Sequence, residues 1–295
     1  MRKLVATLAC RSGGKRLHGK PLQNLAPNTT ILKHLVDGIR ATQEIDEIVL
    51  GISEGAENHA YIEFAKQENI TYIVASEKDV LWRLIMCGRV AAATDIFRVT
   101  TECPFICWEL LGKAWKNHMG NGNDITTASY LPEGLGFEIV TQESLEHMHK
   151  HGNDYERSEY CCAYSRRKPE EFKKEIIKPL IEWQRFEIRL TVDNPEDLIL
   201  CRQMYQALYD NNPHIPVQAI LNWIDENPEA HKIVEPFVEA DSNIGRHIQE
   251  PLTSPSKAGR PKKYNTEEER RLAKLEASRR FRENQKRKKQ EEAIR

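Results

Sequence analysis

Ala9-Cys10-Arg11-Ser12-Gly13-Gly14-Lys15-Arg16-Leu17-His18-Gly19-Lys20-Pro21-Leu22 sets four cationic side chains and three glycines directly behind the apolar run Leu4 to Ala9. An apolar run followed by a glycine loop predicts a β-strand that ends at an anion site. Glycines let backbone N–H groups approach a phosphate closely, and Arg11, Lys15, Arg16 and Lys20 can neutralise several negative charges together. The spacing is not that of a P-loop, because no Gly-Lys-Ser/Thr follows. It also lacks the three-glycine dinucleotide fingerprint.

Outward from this loop the pattern alternates. Helical spacing over Thr30 to Arg40, a short apolar strand at Glu47 to Ile52, a helix around 58–69 and a strand at Thr71 to Val74 come first. A helix from Asp79 through Ala93 and a strand at Asp95 to Thr100 follow. Such βαβα order predicts an α/β fold with a mostly parallel sheet and helices on both faces. Further on, Leu131 to Val140 reads as a glycine-punctuated turn entering a strand, Glu143 to His151 as a helix, and Phe186 to Val192 as a last strand. An acidic turn and a helix starting at Pro195 come after it.

Open α/β sheets bind ligands outside the carboxyl ends of their strands. Glu102, in Arg98-Val99-Thr100-Thr101-Glu102-Cys103-Pro104, and Asp193, in Leu190-Thr191-Val192-Asp193-Asn194-Pro195, fall at two such ends. Two carboxylates beside a cationic loop are a sufficient inventory for a magnesium ion shared with phosphates. His147, His149 and His151 are a false lead: alternate residues of a helix point about 200° apart and cannot converge on one ion. Cys103 with Cys107, and Cys161 with Cys162, lack paired zinc spacing.

The chain has 295 residues, 40% of them hydrophobic, and a net charge of −1. That near balance conceals an asymmetry: residues 257–295 carry 15 Lys/Arg against 7 Asp/Glu, and the rest 28 against 37. Seven cysteines in no small-domain spacing predict reduced thiols and a cytoplasmic location. No run approaches the roughly 18 apolar residues of a membrane span, and the N-terminal apolar stretch is better explained as a strand than as a signal peptide.

Taken together, the motifs resemble the cytidylyltransferases that make CMP-activated acidic sugars, particularly the spore-coat polysaccharide type related to CMP-Kdo and CMP-sialate synthetases. Arg11, Arg16-Leu17, Gly19-Lys20, Arg98-Val99-Thr100, Cys103-Pro104, Leu190-Thr191-Val192-Asp193 and Pro195-Glu196-Asp197 fall in order on the family pattern. Ser76 to Leu81 and Pro132 to Leu135 resemble two further family segments, and the similarity spans about residues 3 to 210. Departures are Glu102 for an aspartate, His18 for a proline, Thr101 for a glycine, Gly136 for a frequent aspartate and Ser158-Glu159 for a Glu-His pair.

The resemblance implies a GT-A-like, Rossmann-like nucleotidyltransferase fold and transfer of CMP from CTP to an acidic keto-sugar, with release of pyrophosphate. Arg11 and Lys20 would be the catalytic pair. Ala9, Arg11, Ser12, Gly13, Lys15, Arg16, Lys20, Arg98 and Thr100 would bind the nucleotide, Glu102 and Asp193 would hold Mg2+, and Glu138 and Arg157 would face the sugar. A homodimer is a further expectation.

The predicted transferase domain covers residues 1–240, a Pro/Ser/Gly-bearing linker 241–263 and a basic charged helix or disordered tail 264–295. Ala258 to Lys263 resembles a minor-groove hook without its leading arginine, so residues 257–295 are candidates for contact with nucleic acid or another polyanion. The competing function is therefore a catalytically weakened transferase fold that serves as a binding module through this tail.

Overall fold

A computed structural model describes residues 2–14 and 16–238. The predicted linker 241–263, the tail 264–295 and Lys15 lie outside the described residues. The first half runs β1 (Leu4–Cys10), β2 (Asn24–Ala26), β3 (Thr29–Thr30), α1 (Ile31–Arg40), β4 (Glu47–Ser53), α2 (His59–Gln67), β5 (Thr71–Ala75), α3 (Val80–Val90), β6 (Asp95–Arg98) and α4 (Leu111–Asn121). It continues with β7 (Ile125–Ala128), β8 (Phe137–Thr141), α5 (Gln142–His151), α6 (Asp154–Arg157), α7 (Ala163–Arg167), β9 (Lys174–Ile177), α8 (Pro195–Leu208), α9 (Val217–Glu226) and α10 (Pro228–Lys232).

Seven strands form one sheet in the order β5-β4-β1-β6-β8-β7-β9. β1 pairs in parallel with β4 and β6, and β4 with β5, whereas β8 runs against both β6 and β7. The alternation of β1 explains why both of its faces are covered: Leu4, Ala6, Leu8 and Cys10 enter one core with Leu35, Ile39 and Leu111, while Val5 packs with Val49, Cys87 and Ala91. Helix starts are capped as their sequences dictate. The Thr30 side chain accepts from Lys33 N, Asp79 accepts from Trp82 N, and Asn194 and Asp197 form a reciprocal box at the head of α8.

Residues Phe186 to Val192 correct the sequence expectation of a strand, because no ladder forms there. Ile188, Leu190 and Val192 are buried, but so are Arg189 and Thr191 between them, and their neighbours are loops. A single bridge joins Arg189 to Glu133, with Leu190 N donating to Glu133 O at 2.8 Å and Val192 N to Glu102 O at 3.0 Å. The apolar residues thus report their own burial, but neither the burial of Arg189 and Thr191 nor the pairing.

At the edge where the parallel strands begin, Asp95 is sealed. It accepts from Arg2 Nε at 2.8 Å and from Thr94 Oγ1 at 2.7 Å, and lies 3.0 Å from His118 Nε2, whose Nδ1 is 2.9 Å from Thr126 Oγ1. The three histidines of α5 separate as expected: His147 meets Glu171, His149 meets Asp79, and His151 meets the backbone carbonyl of His147. All seven cysteines are free and buried. Among the described residues no helix is long and apolar enough to cross a membrane.

Candidate active site

The cationic loop leaves β1 at the carboxyl edge of the sheet, and its shape is fixed by groups that four residues elsewhere in the chain supply. Ser12 N donates to Asn58 Oδ1 at 2.7 Å and Ser12 Oγ to Glu57 O at 2.8 Å. Tyr61 OH donates to Arg11 O at 3.0 Å, and Thr101 Oγ1 to Ala9 O at 3.0 Å. Gly19 N closes the loop on Ser12 O at 2.9 Å, and Gly19 takes the left-handed conformation, φ 57°. At Gly14 any side chain is excluded, since a Cβ there would lie 2.2 Å from Leu17 O.

Among the described residues the loop's cations Arg11, Arg16 and Lys20 are turned onto carboxylates. Lys20 Nζ contacts Asp193 Oδ1, Arg16 approaches the same oxygen at 3.5 Å, and Arg11 meets Glu159 at 3.0 Å. Asp193 Oδ2 accepts from Arg189 at 2.8 Å. Arg189, 5% exposed in its side chain, also reaches Glu133 at 2.7 Å and Asp197 at 3.0 Å. Asp197 in turn accepts the backbone N–H groups of Asp193 and Asn194 at 2.9 and 2.8 Å. Asp193 is therefore held from both sides, by a side-chain network and by the capped head of α8. Burial works to raise the Asp193 carboxyl, but Lys20, Arg189 and Arg16 outweigh it and hold the group below its ordinary value.

Glu102 is the contrasting group. Burial pushes its carboxyl upward; Lys20 pulls the other way and the charge of Asp193 adds to the rise, leaving the net shift upward. Its carboxylate makes no ion pair among the described residues. Two neighbouring carboxylates, one without a cation of its own, form an all-oxygen donor set that fits a small divalent ion completed by phosphates and water. Glu102 and Asp193 are thus brought together as the sequence predicted, through the Val192 N to Glu102 O bond as well as through their charges.

The two residues expected to face the sugar are not in contact. Glu138, at the start of β8, is bound by Arg98, at the end of β6, and accepts from Cys162 Sγ at 3.3 Å. Burial acts to raise the Glu138 carboxyl, but Arg98, with a further contribution from Arg166, keeps it lowered. Arg98 also donates to Glu159 O at 3.0 Å, which ties the loop 158–160 to the site. Arg157 instead donates from Nε to His149 O at 3.0 Å, on the last turn of α5. Thr100 Oγ1 lies 2.8 Å from Cys103 Sγ.

Arg189, Asp197, Glu133 and Glu159 were missed as site residues. Glu133 and Glu159 pair across 56 and 148 positions, which no local pattern shows, whereas Asp197 lies only eight positions from Arg189 and reads in the sequence as a helix-start acid alone.

The cytidylyltransferase family model matches residues 5–219. A spore coat polysaccharide biosynthesis protein, SpsF, of Bacillus subtilis is 23% identical over 235 residues, covering 78% of this chain and 97% of the relative. A solved cytidylyltransferase from Leptospira borgpetersenii superposes with a TM-score of 0.70 at 21% identity, over 78% of this chain and 97% of its own. A CMP:2-keto-3-deoxy-manno-octonic acid synthetase solved with CTP gives a TM-score of 0.52 at 10% identity, over 70% and 99% of the two chains. The sheet order, the capped cationic loop and the family match over most of the folded chain agree: the protein belongs to the cytidylyltransferase family.

Proposed function

We propose that this chain transfers CMP from CTP to an acidic keto-sugar of the Kdo or sialate kind and releases pyrophosphate, with Mg2+ held by Glu102 and Asp193. The observation that carries the reading is the charge arrangement: Arg11, Arg16 and Lys20 converge from one loop onto carboxylates, beside Glu102, which has no cation of its own. That arrangement complements a triphosphate and its metal. The name of the Bacillus relative and the CTP bound to the Kdo synthetase support the same class.

Lys20 and Arg16 both lie on Asp193 Oδ1. An arriving triphosphate offers them a stronger, multiply charged partner, so both turn to the phosphates and Asp193 Oδ1 is released while Arg189 keeps Oδ2 in place. Magnesium, when bound, supplies neutralisation of phosphate charge and polarises the α-phosphate. The sugar hydroxyl oxygen forms its bond to the α-phosphorus as the bond to the β-phosphate oxygen breaks. Pyrophosphate carries away the electron pair, and the hydroxyl proton passes to solvent. Arg11 and Lys20 neutralise charge that develops on the phosphate oxygens, and no covalent enzyme intermediate is needed.

The test is to incubate the full chain with CTP, Mg2+ and a panel of eight- and nine-carbon keto-acids and to follow pyrophosphate. Release with CTP and one of the panel is expected. No release with any nucleotide, together with no CTP binding, overturns the reading.

A further inference from the structure

β5 (Thr71–Ala75) is an edge of the seven-stranded sheet: among the described residues it pairs with β4 alone. The other edge, β9, is guarded. It carries Lys174 and Glu175, and the Lys174 ammonium reaches across to Ser165 O at 2.6 Å. β5 has no such device. Its sequence Thr-Tyr-Ile-Val-Ala holds no charge, no proline and no glycine, and every residue but Ala75 favours a strand. Thr71 and Val74 are exposed, Val74 by 50%. An edge of that composition is a template for another strand.

Which of its backbone groups are free follows from one bond. Glu54 N donates to Ala75 O at 2.9 Å, so Ala75 turns its N–H and C=O toward β4. Alternation gives Ile73 and Thr71 the same direction and leaves the N–H and C=O of Tyr72 and Val74 pointing out of the sheet. Those two residues flank Ile73 evenly. An antiparallel strand of the same sequence, turned about a two-fold axis through Ile73, therefore sets Tyr72 of each copy opposite Val74 of the other. Each such pair exchanges two hydrogen bonds, and Ile73 meets its own copy as the close, non-bonded pair between them.

We propose that β5 is the interface of a two-fold dimer of this chain, in which the sheets of two copies join edge to edge into one. The helix layer fits the same axis. α2 touches both β4 and β5, over the groove between the last two strands. Strands lie about 4.8 Å apart, so the two copies of α2 come to lie about 10 Å from each other, the distance at which helices pack. Lys66 of α2 lies within electrostatic reach of Tyr72 on β5 and pairs with Glu63 at 2.9 Å. Antiparallel copies of α2 bring each Lys66 beside the Glu63 of the other copy, so opposite charges meet across the axis. The pairing closes after two copies, because it uses both β5 edges and leaves only the guarded β9 edges outside. The carboxyl ends of the two sheets then face opposite ways, and each cationic loop stays open at its own end.

The test is sedimentation velocity of the full chain and its variants across the micromolar range, with thermal melting to confirm folding. The wild type is expected to be a dimer. Val74→Pro removes an outward N–H and leaves the ladder to β4 intact, a change that a free edge strand tolerates. It should be monomeric, with the dissociation constant raised at least about a hundredfold. Ile73→Cys checks the register. Two cysteines that meet as a close, non-bonded pair are within disulfide reach, so mild oxidation should give a covalent dimer, whereas Val74→Cys, whose own copy stands diagonally across, should give none. The seven native cysteines are buried and do not compete. A monomeric wild type leaves the edge to some other strand and overturns the proposal. So does a dimer that survives a folded Val74→Pro, or one that Ile73→Cys fails to cross-link. If Val74→Pro does not fold, the cross-link at position 73 decides alone.

Discussion

Two carboxylates anchor ionic clusters at opposite edges of the same sheet, and their surroundings separate a sealed cluster from an open one. Asp95, where β6 begins, is 0% exposed, as are His118 and Thr126, and its bonds to Arg2, Thr94 and His118 leave no charge over. Carboxylate, imidazole and hydroxyl stand in line there, an order that in an open cleft would suggest a nucleophile, but no substrate can enter. Asp193, near the opposite edge, is part-exposed and draws Lys20 and Arg16 from a surface loop, while Arg189, which it shares with Glu133 and Asp197, holds its other oxygen. A closed network conserves its partners, whereas the open one holds cations that a ligand can take.

The sharpest way to break this contrast is at Lys20. Lys20→Ala should lower kcat/KM for CTP by several hundredfold, on the order of other losses of a charge-stabilising donor, while His18→Ala changes it only about twofold. Equal effects would mean that the grip lies elsewhere in the loop. His118→Ala should do the converse and leave CTP binding intact. By stripping a buried carboxylate of one partner it should cost about 3 kcal/mol of stability, a fall of about 10 °C in melting temperature.

Both anchoring carboxyls are held below their ordinary value, and Glu102 beside the open cluster is the one of opposite sign. Burial acts to raise the Asp95 carboxyl, but its bonds from His118, Arg2 and Thr94 hold it below the ordinary value. Its stabilisation is therefore fully present above the ordinary aspartate range and lost as pH falls through the lowered value. Denaturation midpoints measured down the acid range should show this slope, and Asp95→Asn should flatten it. Glu102 is raised by burial in the chain without metal, so its carboxyl, followed by NMR titration of the metal-free protein, should titrate above the ordinary glutamate range. The smallest effect is expected at the loop's support. Asn58→Ala leaves Ser12 N without its acceptor and should cost about 1 kcal/mol, seen as a modest rise in KM for CTP with kcat nearly unchanged.

Much of the Asp193 side was legible in the sequence because its chemistry is local: glycines and cations crowd into one loop, and Pro195, Glu196 and Asp197 announce the head of a helix. Which cation meets which acid was not, since Lys20 and Asp193 are 173 positions apart. The stretch 186–192 shows the limit of periodicity, which reports what is buried without saying whether the neighbour is a strand or a loop.

The reversed direction of β8 has a consequence for how such an enzyme diversifies. Because this strand runs against β6, the chain enters it at the ligand edge, and Glu138 at its start meets Arg98 at the end of β6. On the proposed function, the connection 129–136 and the segment around Glu159 would form the acceptor side, encoded apart from the donor side at residues 9–22, so that mutation can alter one without touching the other.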